Sequence, residues 1–168
     1  DTVVSTFATE IKKIFAVSDN EAYNRLFEYL GQDDINAKLS ERGIKARISH
    51  RLSVPNSDVT TTKPLVFYDN NEAVFKTDST VNQPVKPLQL QKIIKGQGYM
   101  VGDSLVNEPM DFSRKNYLPI TSLHNIMKQL MFPELYPYDK QFHLSPDDRA
   151  FLIKTMTILP QEAGYTSD

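Results

Sequence analysis

Ser18, Asp19 and Asn20 stand side by side between two segments striped with apolar residues. A serine hydroxyl can relay a proton, and an asparagine amide both donates and accepts hydrogen bonds. Held at a helix–helix junction, Ser18 and Asn20 can face the same side of a cleft. Ser18 with Glu21 three residues on also fits a capping box, a purely structural use. The tripeptide alone leaves both readings open. His50 is the other candidate, because imidazole changes charge near neutral pH. It lies in Ala46-Arg47-Ile48-Ser49-His50-Arg51-Leu52, where Arg47 is expected to pair with an acid and brace the segment. His50, His124 and His143 are too scattered for a zinc motif, and with no cysteine there is no disulfide or thiol nucleophile. No metal or cofactor is expected. Gly96-Gln97-Gly98-Tyr99 lacks the strand–loop–helix context of a phosphate loop.

The elements that must position these residues fall into three zones. Residues 1–54 read as helical. Phe7, Ile11, Ile14 and Phe15 form a helical stripe with Thr6 as N-cap. A second helix carries Ala22, Leu26, Tyr29 and Leu30 and stops at Gly31; a third runs from Asp33 to Arg42 before Gly43. Residues 55–118 read as β-rich and irregular. Leu65–Tyr68 and Ala73–Phe75 around Asp69-Asn70-Asn71 predict a β-hairpin, and Leu88–Ile94 predicts one or two helical turns. Asp111–Tyr117 reads as surface loop. Residues 119–168 predict a helix with Ile120, Leu123, Met127, Leu130 and Met131 on one face, ended by Pro133. A second helix opens at Ser145-Pro146-Asp147-Asp148, with Phe151, Leu152, Thr155, Met156 and Leu159 turned inward. Gln161 to Asp168 shows no packing signal.

Composition narrows the function classes. The chain has 168 residues, 40% hydrophobic and 24% charged, which suits one globular domain or part of one. A net charge of −2 without a basic block argues against a nucleic-acid partner. Apolar runs are too short for a membrane span. No charged-then-apolar leader opens the chain, so any export signal is expected to lie outside it.

Val17-Ser18-Asp19-Asn20-Glu21-Ala22-Tyr23-Asn24-Arg25-Leu26 resembles the Ser-Asp-Asn segment of the class A serine β-lactamase family, which also covers penicillin-binding relatives. The likeness extends over residues 6–52, through Gly31 and Gly43 to the Arg-bearing loop at Arg47–Leu52. It resumes at Pro119-Ile120-Thr121 and at Leu144-Ser145-Pro146-Asp147-Asp148-Arg149. It implies a mainly α fold of α+β class: the helical domain of a β-lactamase-like fold with a β-hairpin-containing insertion at 55–118. It implies Ser18 as proton relay and Asn20 as the group bonding the substrate amide, both catalytic. Asp19 would brace the backbone, and His50 would sit by the substrate. The implied reaction is acylation of a serine by a lactam, D-Ala peptide or ester carbonyl, then hydrolysis. The implied substrate is a small molecule or a peptidoglycan-like peptide, and the implied location periplasmic or secreted.

Three departures qualify that expectation. Ser-x-x-Lys occurs nowhere; Thr60-Thr61-Thr62-Lys63 comes nearest. Lys-Thr-Gly is missing too, since Lys76-Thr77-Asp78 and Lys154-Thr155-Met156 fail at the glycine. No Glu appears from Ile44 to Asn71 to serve as a deacylating base, leaving Asp58 and Glu72 as acids the insertion could offer. The expected molecule is thus an internal fragment, inactive by itself, whose α/β half lies elsewhere in the same polypeptide. The alternative is a non-catalytic helical binding module in which Ser18-Asp19-Asn20 only caps a helix.

Overall fold

Phe7, Ile11, Ile14 and Phe15 wind into α1 (Phe7–Val17), which Thr6 caps by accepting from the Thr9 amide at 3.1 Å. The computed structural model describes residues 5–165; residues 1–4 and 166–168, the outer ends of the first and last zones, lie outside it. After α1 the chain reverses within two residues into α2 (Asn20–Leu30). The Phe7 ring at the start of α1 meets the Tyr29 ring at the end of α2, 4.9 Å apart, so the helices run antiparallel. Gly31 joins α2 directly to α3 (Gln32–Glu41). Its φ of 76° lets its amide close on Phe27 O at 2.9 Å while its own carbonyl receives the Ile35 amide. A Cβ there would also sit 3.3 Å from Asn82 Oδ1.

The middle of the chain holds three separate two-stranded antiparallel ribbons. The predicted hairpin is β1 (Val66–Asp69) and β2 (Glu72–Lys76). Asn70 and Asn71 both have positive φ, which suits the tight turn between twisted strands. β3 (Ile94–Lys95) pairs with β6 (Met110–Asp111), and β4 (Tyr99–Val101) with β5 (Ser104–Val106). The helical turns predicted over Leu88–Ile94 do not form. That backbone is spent on cross-chain bonds instead: Leu88 N donates to Ser113 O at 2.7 Å, and Ile94 enters β3. Helices return with α4 (Ile120–Met131) and α5 (Pro146–Thr155), the latter capped by Ser145 as its sequence predicts. The fold is α+β, with five α-helices and small antiparallel sheets among the described residues.

The interior is unusual in its polarity. Among the described residues only Ala22, Phe27, Ile44 and Leu130 are buried apolar side chains. Glu10, Gln32, Ser49, His50, Arg51 and Asn82 are buried alongside them. Of the apolar face predicted for α4 Leu130 is buried, but Ile120, Leu123, Met127 and Met131 are 37–78% exposed, and the helix buries Ser122 and Gln129 beside Leu130. Leu159 is likewise open. The accessible surface is 12246 Å², against about 8,400 Å² expected for a compact monomer of 19.2 kDa.

A charged pair shares the interior with these few apolar side chains. Arg51 donates through Nε to Glu28 Oε1 at 2.6 Å and through a terminal nitrogen to Glu28 Oε2 at 3.0 Å. It also donates to the carbonyls of Val59 and Thr61 and lies over the Phe27 ring. Both side chains are only 9% exposed. Removing one partner strands a buried charge, so Arg51→Met is expected to cost about 3–5 kcal/mol in urea unfolding. The double variant Glu28→Gln/Arg51→Met, with no buried charge left, is expected to lose less than Arg51→Met alone.

Candidate functional site

The α1–α2 junction is built by closing one helix with a residue that resists the required shape. Ser18 ends α1 in the left-handed region, φ 55° and ψ 43°, and its amide bonds Ile14 O at 3.0 Å. This is the αL closure, a single bond from the left-handed residue back to the helix, and the Asp19 amide reaches further back to Lys13 O at 3.4 Å. Glycine is the usual residue there, because a Cβ costs about 1–2 kcal/mol in that conformation. Ser18 is exposed, and its hydroxyl makes no hydrogen bond among the described residues.

The capping box read onto Ser18 and Glu21 is not what forms. Asp19 caps α2 in its place, accepting the Ala22 amide at 2.9 Å. That amide is the main cause holding the Asp19 carboxyl below the usual carboxylate range, with the Tyr165 hydroxyl and Arg25 adding to it. Tyr165 donates to Asp19 Oδ2 at 3.2 Å. Its phenol is pushed up, by burial first and then by the neighbouring carboxylate. The tail therefore packs where no packing was expected, through a 3₁₀ turn at Pro160–Ala163 against α1; Thr166–Asp168 lie outside the described residues.

Asn20 opens α2 and donates to Ser53 Oγ at 2.8 Å. Ser53 also has positive φ, 53°. Ser18, Asn20 and Ser53 thus gather at one end of the helix pair, with Asn20 flanked by two serines in left-handed backbone. Ser53 and Tyr165 carry no sequence signal for this role; only the approach of the return segment and the tail reveals them.

Three asparagine side chains hold the return segment that presents Ser53. Asn36 exchanges two bonds with Ile48, at 2.7 and 2.9 Å, and Asn24 does the same with Leu52. Asn116 accepts the amides of Ser49 and His50 and donates to His50 O. Arg47, expected to pair with an acid, instead donates to the carbonyls of Lys86, Ser113 and Lys115. Burial lowers its affinity for a proton.

His50 lies in this segment but not on an open cleft wall, where a substrate-binding role would put it. It is 6% exposed, with Nδ1 3.0 Å from Ser49 Oγ. Burial pulls its pKa down, and Lys115 and Arg47 reinforce the effect against Asp58. Asp58 is exposed, and Glu72 sits at the hairpin tip opposite Asp69. Among the described residues no three His, Asp or Glu side chains converge to hold a metal ion, and no helix is long and apolar enough to cross a membrane.

No family model, curated protein or solved structure matches this chain.

Two outcomes test this geometry. Ser18→Gly is expected to raise stability by about 1 kcal/mol in urea unfolding, because glycine adopts the left-handed conformation without penalty. A neutral effect would mean the junction is unstrained. The second concerns pH. His50 is held neutral in the fold, so its contribution is complete above its ordinary value near 6.5 and is lost as pH falls below it. Glu10 and Glu28, both lowered, lose their contributions only below about 4.5. Between pH 7 and pH 5 the melting temperature is therefore expected to fall, and His50→Gln to flatten that slope.

Proposed function

We propose that this chain forms the helical wall of the substrate cleft in a serine hydrolase resembling the class A β-lactamases and penicillin-binding enzymes. The observation that carries the reading is Ser18. A non-glycine residue is kept in left-handed backbone, with its hydroxyl exposed beside a tethered asparagine. Backbone strain of this kind collects at functional sites, where the surroundings over-determine it. A helix cap alone does not call for it, since Asp19 does the capping.

In this reading the nucleophilic serine and its lysine come from sequence outside residues 1–168. The nucleophile attacks the carbonyl of a lactam, a D-Ala peptide or an ester and forms an acyl-serine. Ser18 passes a proton toward the leaving nitrogen or oxygen. Asn20, oriented by Ser53, bonds the substrate's amide. Asp19 and Tyr165 hold the junction still. With no glutamate between Ile44 and Asn71, the acyl-enzyme from a β-lactam would hydrolyse slowly. The open α4 face and the large accessible surface fit a chain that packs against a further α/β half. The reaction would take place in the periplasm or outside the cell, on a peptidoglycan-like or small-molecule substrate.

A second reading, a non-catalytic interaction module, draws on the same open α4 face. Labelling separates the two. The polypeptide that unites this chain with its nucleophile segment is incubated with a fluorescent penicillin and denatured. A covalent label that persists, and weakens at least tenfold in Ser18→Ala and Asn20→Ala, is the expected outcome. Equal labelling of all three proteins would remove Ser18 and Asn20 from the chemistry. No label in the folded protein would turn the reading toward a non-lactam substrate or the interaction module.

A further inference from the structure

At the far end of the helix pair from Ser18, a groove of about 600 Å³ separates the helices from the hairpin. Phe7, Glu10, Arg25 and Tyr29 form its helical wall. Its other wall is Leu65, Val66, Phe67 and Tyr68, four residues in succession. Successive residues of a strand point to opposite faces. All four can line one groove only if the groove runs along the edge of β1, beside its backbone.

That edge is unpaired. Thr77 N donates to Leu65 O at 2.9 Å and Leu65 N to Thr77 Oγ1 at 2.9 Å, so Leu65 turns its backbone groups toward Thr77. By the alternation of an antiparallel ladder, Val66, opposite Lys76, is not bonded to β2. The bulge between Phe67 and Tyr68 keeps Phe67 bonded and leaves Tyr68, opposite Ala73, facing outward as well. By this alternation the amides and carbonyls of Val66 and Tyr68 lie on the outer edge of β1, beside the groove both residues line, and among the described residues β1 pairs with no strand but β2. Phe67 turns to the helices, 5.6 Å from Phe7 and 5.4 Å from Tyr29, so the sheet already has an apolar surface beneath it for a further strand.

Charge sets which residues suit each end of an added strand, and the antiparallel arrangement is the commoner and more stable pairing. The hairpin tip carries Asp69 opposite Glu72, both exposed. The base of the hairpin carries Lys63, just before β1, and Lys76, the last residue of β2, both exposed. None of the four forms a salt bridge among the described residues. A strand running antiparallel to β1 places its first residues at the acidic tip and its last at the basic base.

We infer that the β1 edge is a docking site for an extended peptide of a partner protein, added antiparallel to β1, with a basic start, alternating apolar residues and an acidic end. Affinity comes from main-chain bonds to Val66 and Tyr68, and selectivity from the groove wall and the two charged ends. This site is independent of the hydrolase reading, since none of its residues lies at the Ser18 junction.

The test uses the 168-residue chain and the peptide acetyl-Lys-Thr-Val-Thr-Val-Thr-Glu-amide. Amide NMR is expected to show shifts at Val66 and Tyr68, with slowed hydrogen exchange at both. Two N-methylated versions of the peptide, blocking alternate amides, are expected to differ: one loses binding at least tenfold and the other keeps it, because only one set faces β1. Exchanging the Lys and Glu of the peptide is expected to weaken binding about threefold or more, and the effect is expected to fade in high salt. Val66→Pro, which removes one outward N–H, is expected to weaken binding about tenfold. The peptide arms hold whether or not that variant folds. Equal binding by both N-methylated peptides would overturn the inference, because adhesion would then depend on side chains alone. Shifts centred on Met100 and Leu105 would place binding on another ribbon and overturn it too. Val66 and Tyr68 amides already protected without peptide would show the edge filled, with the same consequence.

Discussion

The structure depends on side chains that take the place of a β-ladder. Residues 48–52 return across α2 and α3 without forming a strand, yet Ser49, His50 and Arg51 are buried. Buried amides and carbonyls must be paired. Asn36, Asn116 and Asn24 supply the pairing, each offering a donor and an acceptor as a neighbouring strand would. Arg47 gathers the carbonyls of the insertion below them, and Arg51 those above. Remove these amides and the segment has no reason to lie on α2. Ser53 then no longer reaches Asn20.

This polar construction explains how a chain with few buried apolar side chains holds a defined shape. Each amide or guanidinium clamp adds little net free energy but is costly to break, because its partners stay buried. The geometry is therefore specific without being strongly stabilised. The apolar residues that would normally supply the driving force, those of α4 among them, remain on the surface. They are a reserve of burial that a larger assembly would use.

The strain at Ser18 rests on the same arrangement. A left-handed serine persists only where its neighbours leave it no choice. Asp19 is held by the first turn of α2 and by Tyr165, Asn20 by Ser53, and the α1 terminus by the bonds to Ile14 and Lys13. Four separate parts of the chain converge on three residues. The hairpin at the opposite end of the helix pair is fastened differently, by the Phe7, Tyr29, Phe67 and Phe75 rings.

Local chemistry made much of this legible in the residues alone. The stripes of α1 and α2, the Thr6 and Ser145 caps, the Asn70-Asn71 turn and Pro146 at the start of α5 all act within a few positions of themselves, so their meaning survives without the fold. The exchange of Ser18 for Asp19 as the α2 cap turns on a one-residue choice between two competent oxygens, which the α1 closure settles. Leu88–Ile94 had helical spacing, but Ser113 claimed its backbone. Ser53, Tyr165 and Asn116 were illegible for a single reason: each acts on a partner 33 to 146 residues away. Sequence by itself determined where most of the helices start and where the hairpin turns. Only the tertiary structure decided that His50 is buried, that most of the α4 stripe faces outward and that Asn20 leans on Ser53, because those outcomes depend on which distant backbone groups reach a partner first.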